Sequence, residues 1–430
     1  METALFRFSQ TEIDKQKVFT TAFISVFISS SIFIFVACFF SQSISESIRF
    51  TGHPEYIVWF AIIIGTDALA AVAFAKLREQ NKAKRFAIIN IVKICTLIGL
   101  NLFFIVFCKY VYNASESIFK TFVEKIYNPE IGIGYIFISN LISSLLTLLL
   151  LSSNILSIRY VFDTPLWKKM IRYAFPLLIA GLAGMVNETL DRILLTRMLP
   201  KTEAMAQAGI YGACYKVSII MTIFIQTFRY AAEPFFFSHS KEKDSKKTYA
   251  DIMNYFVIIC SLIFLGTMMN IQWIQYFAGS AEFRTGIKVV PILLLANMFL
   301  GVFWNQSIWY KLTGQTRYGA MLTIFGAIIT ITLNILWIPS IGYMGCAWAT
   351  LICYASMMVA SYFLGNKHYP VNYDLKRILG YLSLSVTLFF VSVFIKTEST
   401  VLNLILNNLM VVGFIVIVWR MEKNNFKRLT

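Results

Sequence analysis

The sequence predicts an all-α polytopic membrane protein with about twelve transmembrane helices. Of its 430 residues, 58% are hydrophobic and only 14% are charged, whereas a soluble domain has about 25% charged residues. The apolar residues are collected into runs of about 20, the length that crosses the hydrocarbon core as a helix. The basic residues are concentrated in alternate connecting segments, which is typical of loops sorted by charge across a membrane.

Twelve runs meet the length criterion, and the segments between them are short. The predicted helices cover residues 18–41, 56–76, 86–110, 132–156, 170–196, 207–236, 248–269, 286–309, 318–338, 343–364, 376–395 and 400–419. The longest connection, near 111–131, is too short for a separate domain. The chain is therefore predicted to lie almost wholly within and beside the bilayer.

Loop charge predicts the orientation of the chain. With the N-terminus placed in the cytoplasm, 25 Lys and Arg residues fall on the cytoplasmic side and 9 on the opposite side. This bias predicts that both termini lie in the cytoplasm. The net charge of +16 is explained by loops that face anionic lipids, so no nucleic-acid partner is indicated.

The sequence indicates no cofactor, no metal and no catalytic centre. All seven cysteines fall inside apolar runs, which predicts buried thiols rather than disulfides. Cys and His do not cluster at ligand spacing. No phosphate-binding loop and no Ser/His/Asp set is present.

Ionisable residues inside the predicted helices are the candidate functional residues. At the centre of a bilayer each charge costs about 2.5–3.5 kcal/mol on insertion scales, so such residues face a protein interior or a wet cavity. The helix at 170–196 carries Glu188, Asp191 and Arg192. Glu188 and Arg192 are spaced i,i+4, which predicts an ion pair on one face of that helix. These three residues indicate a polar cavity face.

The next helix, at 207–236, carries Lys216 in its outer half and Arg229 with Glu233 in its inner half. Arg229 and Glu233 are also spaced i,i+4 and could form a structural pair at the cytoplasmic end. Cations at two depths suit an anionic head group, because a phosphate can exchange one Lys or Arg partner for another.

Two further charged residues lie in the N-terminal half of the chain. Asp67 is about eleven residues from either end of its helix, too deep for its side chain to reach the head groups. It is a candidate substrate contact, proton site or partner of Lys93 or Arg192. Lys93 either extends its long side chain to the cytoplasmic surface or lines a cavity.

Five stretches spread over the whole chain resemble bacterial polysaccharide transporters. The stretches are METALFRFSQ, GTDALAAVAFAKLR, FPLLIAGLAGMVNETLDRILL, IQTFRYAAEPFFF with KEKDSKK, and TLNILWIPSIGYMGCAWAT. The chain is thereby identified as a member of the O-antigen-type lipid-linked oligosaccharide flippases, in the multidrug/oligosaccharidyl-lipid/polysaccharide exporter superfamily.

The resemblance implies two helical lobes around a central cavity that opens alternately to each side of the membrane. The resemblance also implies a substrate, an oligosaccharide on a polyprenyl pyrophosphate. This substrate would move from the cytoplasmic to the periplasmic leaflet of a bacterial inner membrane, for the assembly of surface polysaccharide or lipopolysaccharide. Glycan-assembly enzymes are the implied partners, besides membrane lipids; the oligomeric state is left open. The basic residues are expected to contact the pyrophosphate: Arg192, Lys216, Lys93 and Arg229. The acidic residues are expected to contact sugars, to pair with these cations or to couple transport to an ion: Asp67, Glu188, Asp191 and Glu233.

The chain departs from the family pattern at its N-terminus. The family usually has fourteen helices, and METALFRFSQ resembles the loop that normally follows its second helix. We therefore expect an incomplete N-terminal lobe of four helices at 1–165, lacking the first hairpin. A six-helix lobe at 166–366 and two additional helices at 367–430 are expected to follow.

Two other functions fit parts of the sequence. A cation-coupled drug or small-molecule antiporter of the same fold would need an acidic or apolar cavity; the deep charges, which include acidic as well as basic residues, do not exclude it. A glycan polymerase or ligase has a similar number of helices but typically a large external loop, which is absent from this sequence.

Overall fold

The computed structural model describes residues 1–47, 53–114, 119–156, 161–242, 244–395, 397 and 399–426. These residues form α-helices with short 3-10 and π segments, and they include no β-strand. The all-α prediction is confirmed. Six of the basic residues counted for topology lie outside the described residues: Arg49, Arg159, Lys243, Lys396, Lys427 and Arg428.

Twelve helical segments in the described part of the chain are long and apolar enough to cross a membrane, which confirms the predicted number. The spans are Lys15–Phe39, Pro54–Glu79, Ala83–Asn113, Gly134–Leu156, Thr164–Met198, Thr202–Ser238, Ser245–Met269, Ala281–Leu312, Arg317–Ile341, Tyr343–His368, Leu375–Phe394 and Thr400–Lys423. Several are longer than predicted, because polar and charged residues continue the helix beyond its apolar core.

The described chain divides into two compact units, Met1–Ala174 and Phe175–Thr430. The division falls within one long helix, Thr164–Met198. The last two helices belong to the second unit.

The first unit contains eight complete α-helices and the start of a ninth. They are α1 (Glu2–Thr11), α2 (Lys15–Phe39), α3 (Ser41–Ser47), α4 (Pro54–Glu79), α5 (Ala83–Asn101), α6 (Lys109–Asn113), α7 (Lys120–Ile126), α8 (Gly134–Leu156) and α9 (Thr164–Met198). A π-helical segment, Leu102–Cys108, joins α5 to α6, and a 3-10 turn, Pro129–Ile131, precedes α8.

Helix α4 packs against α2, α5 and α8 and is the central helix of the first unit. Its contact with α2 depends on a glycine, since a Cβ at Gly65 would lie 2.5 Å from the Ile34 side chain. Small residues at helix interfaces allow this close approach in membranes. On the outer side of α2, Phe35 and Phe39 are 71% and 73% exposed, as expected for a lipid-facing surface.

The ends of these helices are joined by charge pairs. Helix α1 buries Leu5 and Phe6 against α2 and α4, and the Arg78 guanidinium, which pairs with Glu2, lies 5.1 Å from the Phe6 ring centroid. The METALFRFSQ segment is therefore a packed helix.

A second charge pair lies where α9 begins. The Leu166 N–H donates to Asp163 Oδ1 at 2.8 Å, and the Lys17 ammonium lies 2.5 Å from Oδ2. These two donors hold the pKa of Asp163 below its usual range. The carboxylate thus caps α9 and ties it to α2.

The second unit contains the remaining ten α-helices. They are α10 (Lys201–Ser238), α11 (Ser245–Met269), α12 (Ile271–Ile274), α13 (Ala281–Arg284), α14 (Val290–Gln306), α15 (Ile308–Leu312), α16 (Arg317–Ile341), α17 (Tyr343–His368), α18 (Leu375–Phe394) and α19 (Thr400–Phe426). Three 3-10 turns, His239–Lys241, Gln275–Ala278 and Ile287–Val289, lie between them.

Helices α11 and α14 form the centre of the second unit. Helix α14 packs against α10, α11 and α17, while α18 and α19 pack against α11. Fully buried side chains such as Phe256 and Leu294 join these helices into one apolar core. Helix α10 and the C-terminal end of α9, where Leu195 is buried, belong to this core; these two helices carry most of the candidate functional residues.

The predicted burial of the cysteines is only partly correct. All seven are unpaired, and five are buried, but Cys38 is half-buried and Cys95 is exposed. Apolar runs in a membrane protein contain lipid-facing as well as core positions, so the run alone does not predict burial.

Candidate functional site

In the first unit, Asp67 forms a polar junction between three helices. The Lys93 ammonium on α5 lies 2.9 Å from Asp67 Oδ1, and the Ser144 hydroxyl on α8 donates to the same oxygen at 2.8 Å. The neighbouring Ser143 hydroxyl donates to the backbone carbonyl of Lys93 at 2.8 Å. Of the partners considered for Asp67, the structure selects Lys93.

This junction is only partly enclosed. The side chain of Asp67 is 39% exposed and that of Lys93 is 25% exposed. Lys93 therefore does not extend to the head-group region, since its ammonium is held at the depth of Asp67. The partly exposed pair joins α4, α5 and α8.

In the second unit, Asp191 is buried and engaged within the protein. It is 1% exposed, and its Oδ2 accepts a hydrogen bond of 2.7 Å from the Tyr211 hydroxyl on α10. Its Oδ1 accepts from the backbone N–H of Arg192 at 2.7 Å. The expected exposure of Asp191 to a cavity is wrong, because Tyr211 supplies a donor that makes burial tolerable.

Arg192 is held by an aromatic ring and not by the expected carboxylate. Its guanidinium carbon lies 4.5 Å from the centroid of Tyr215 on α10, a cation–π geometry. No ion pair between Glu188 and Arg192 forms among the described residues, so that predicted pair is wrong. The Nε of Arg192 also has no hydrogen-bond partner there, and Glu188 is exposed.

Lys216 follows Tyr215 directly in the sequence and is exposed on α10. Within the described part of the chain, its ammonium has no ion-pair or hydrogen-bond partner. An unpaired ammonium in an apolar helix is costly, so a ligand that supplies an anion would be stabilised there.

Arg229 and Glu233 form the predicted pair, but loosely, and a third residue joins them. Arg229 Nε lies 4.0 Å from Glu233 Oε2, while the Lys311 ammonium lies 3.0 Å from Glu233 Oε1. The Arg229 guanidinium carbon is 4.9 Å from the Trp304 ring centroid. Lys311, counted from the sequence as a cytoplasmic loop residue, is buried beside Glu233.

The acidic and basic residues of α9 and α10 therefore differ in whether they have partners within the protein. Asp191 is satisfied by Tyr211 and Glu233 by Lys311, whereas Arg192 and Lys216 have no carboxylate partner in the described residues. Glu188 is the exposed exception. Arg192 and Lys216 are thus two cations without a carboxylate at ion-pair distance in the described residues, an arrangement that suits an anionic ligand.

Several residues that complete these arrangements were not predicted: Ser143, Ser144, Tyr211, Tyr215, Trp304 and Lys311. Signals for some of them were present in the sequence. Ser143-Ser144 interrupts an otherwise apolar helix, and Tyr211 and Tyr215 are spaced i,i+4. The identity of their partners required the packing of the helices. Among the described residues, no group of His, Cys, Asp and Glu is placed to hold a metal ion.

Comparison with known proteins gives matches at the level of structure. No protein-family model and no curated protein matches the sequence. A mutant of the Vibrio cholerae MATE transporter VcmN superimposes with a TM-score of 0.69 at 12% identity, over 85% of this chain and 83% of that one. An outward-facing multidrug resistance MATE family transporter of the MOP superfamily gives a TM-score of 0.70 at 12% identity, over 88% and 83%.

A flippase matches over more of the chain. The lipid II flippase MurJ, in its inward closed conformation, superimposes with a TM-score of 0.61 at 14% identity, over 98% of this chain and 88% of that one. At these identities the likeness shows a common fold. The chain is a multi-pass α-helical membrane protein with the fold of the MATE transporters and of MurJ.

Proposed function

We propose that the protein is a flippase for a lipid-linked oligosaccharide. It would move an oligosaccharide on a polyprenyl pyrophosphate from the cytoplasmic to the periplasmic leaflet of a bacterial inner membrane. Alternating access would carry the glycan past polar protein groups while the polyprenyl chain stays in lipid. Enzymes that assemble or polymerise the glycan would supply the substrate and consume the product.

The available basic charge on α9 and α10 is the observation that supports an anionic substrate. Arg192 presents a guanidinium over Tyr215, and Lys216 presents an ammonium without a carboxylate partner in the described residues. A pyrophosphate can accept hydrogen bonds from both kinds of donor. In the first unit, the partly exposed Asp67–Lys93 pair is a separate candidate contact for sugar hydroxyls or for a coupling ion.

A cation-coupled antiporter for drugs or other small molecules is the second candidate. It is favoured by Glu188, an exposed carboxylate on α9, since a carboxylate can bind a cation or a proton. Structural likeness does not separate the candidates, because a MATE family transporter and MurJ give TM-scores of 0.70 and 0.61. The solved structures that share the fold are those of transporters and a flippase, so a glycan polymerase or ligase is not favoured.

Neutralising Lys216 and Glu188 separately distinguishes these two functions. For an anionic substrate, Lys216→Gln is expected to lower export of surface glycan about tenfold, as for loss of one charge-assisted hydrogen bond. Glu188→Gln should have little effect on it. Export is measured as surface polysaccharide in cells that depend on this protein, with membrane levels of both variants checked. Loss of function in Glu188→Gln alone would instead favour the cation-coupled antiporter.

A further inference from the structure

A cleft between α10 and α14–α15 contains more hydrogen-bond donors than the protein itself can satisfy. Its apolar walls include Phe228, Trp304 and Ile308, and its polar lining includes Arg229, Asn305 and Lys311. All of these residues belong to the second unit. The cleft is therefore a feature of one compact unit.

Asn305 supplies the clearest unmet donor in this cleft. The residue is only 6% exposed, and its side-chain Nδ2 has no hydrogen-bond partner among the described residues. A buried donor without an acceptor is unfavourable, so an acceptor from outside the chain would be stabilised at this position.

The charges of the cleft add to this preference for an acceptor. Glu233, which is 6% exposed, has its Oε1 only 3.0 Å from the Lys311 ammonium. Arg229 Nε lies 4.0 Å from Glu233 Oε2, which is too long for a hydrogen bond. Lys311 thus neutralises Glu233, and the Arg229 guanidinium, resting on Trp304 at 4.9 Å, keeps its donors for a ligand.

We propose that this cleft binds a phosphate-type anionic head group attached to an apolar chain. Arg229 and Asn305 donate to the phosphate oxygens, and the Phe228 and Ile308 side chains contact the first part of the chain. Lys311 is a positioning residue, because it holds Glu233 away from Arg229. The head group could come from a membrane phospholipid or from a polyprenyl pyrophosphate. The site does not depend on which molecule the protein transports.

Asn305→Asp tests the site with a change of nearly the same size. The new carboxylate would accept hydrogen bonds in the place proposed for the ligand. We expect at least a tenfold loss of affinity for phosphatidylglycerol or polyprenyl pyrophosphate, each titrated onto the purified full chain and followed by native mass spectrometry. Because the unmet Nδ2 donor is removed, the Tm in detergent should stay close to that of the wild type.

Lys311 is tested by a pair of variants. Lys311→Met should lower the affinity for the ligand, because the Glu233 carboxylate would then pair with Arg229. Combining Lys311→Met with Glu233→Gln should restore most of the affinity. A purely structural role for Lys311 would not give this recovery. Arg284→Gln is the matched control, since Arg284 also lies over an aromatic ring, 4.7 Å from the Tyr276 centroid, but lines no part of this cleft.

The two ligands identify the source of the head group. Binding of phosphatidylglycerol alone would indicate a resident phospholipid. Preference for polyprenyl pyrophosphate would place the cleft on the path of the substrate. Either result supports the site. Unchanged affinity for both ligands in Asn305→Asp and in Arg229→Gln would overturn it. So would a Tm for Asn305→Asp several degrees below that of the wild type together with unchanged affinity.

Discussion

Replacing Arg192 with Ala is expected to abolish glycan export while the protein remains folded in the membrane. Arg192 has no carboxylate at ion-pair distance among the described residues, so its removal breaks no ion pair. One or two charge-assisted hydrogen bonds to pyrophosphate would be lost, each about 1.5–3 kcal/mol. Arg192→Lys should rescue only partly, because an ammonium lacks the planar fork that binds phosphate oxygens in pairs.

Tyr215 provides the matched control for this prediction. Tyr215→Phe keeps the ring under the guanidinium, 4.5 Å away in the wild type, and should leave export near normal. Tyr215→Leu removes the ring and should reduce export, since the guanidinium is then no longer held in place. Wild-type amounts of surface polysaccharide in Arg192→Ala would contradict the role given to this residue.

Asp67→Asn is expected to impair both transport and stability, and a second neutralisation at Lys93 is expected to restore stability. The two charges lie 2.9 Å apart, so removing one leaves the other unpaired in a poorly solvated place. We expect a cost of about 1–3 kcal/mol for Asp67→Asn, below that of a fully buried pair. The Tm in detergent and glycan export should be measured for Asp67→Asn, Lys93→Met and the double variant.

The Lys15–Glu79 pair is a suitable control for this series. Its atoms are 2.7 Å apart, but Lys15 is 57% exposed, and neutralising such a pair should change stability by less than about 1 kcal/mol. If the double variant at Asp67 and Lys93 is no more stable than Asp67→Asn alone, pairing is not the role of Asp67. A proton or substrate role would then be favoured.

The sequence was sufficient to predict the fold class and the number of membrane spans, because both depend on the length and composition of apolar runs. It was also sufficient to identify Asp67 and Lys93 as a candidate pair, since each is an isolated charge in an apolar helix. It could not predict the partner of Arg192. The i,i+4 spacing favours Glu188, but the guanidinium lies over the ring of Tyr215 on the neighbouring helix.

Contacts between helices also explain the other differences between the sequence-based predictions and the structure. Asp191 was expected to face a cavity, and it is buried because Tyr211, twenty residues away on another helix, donates to it. Lys311 looked like a loop residue because it ends an apolar run, yet it lies within hydrogen-bond distance of Glu233. Helical spacing describes neighbours on one helix, whereas these contacts are made between helices.

Translocation by the purified protein in liposomes tests the proposed flippase activity most directly. A fluorescent oligosaccharide on a polyprenyl pyrophosphate is placed in one leaflet, and its appearance in the other is measured by access of a membrane-impermeant quencher. We expect rapid translocation by the wild type and little above protein-free liposomes for Arg192→Ala. Translocation no faster than in protein-free liposomes, together with ion-driven uptake of a cationic dye in the same preparation, would contradict the flippase and support the antiporter.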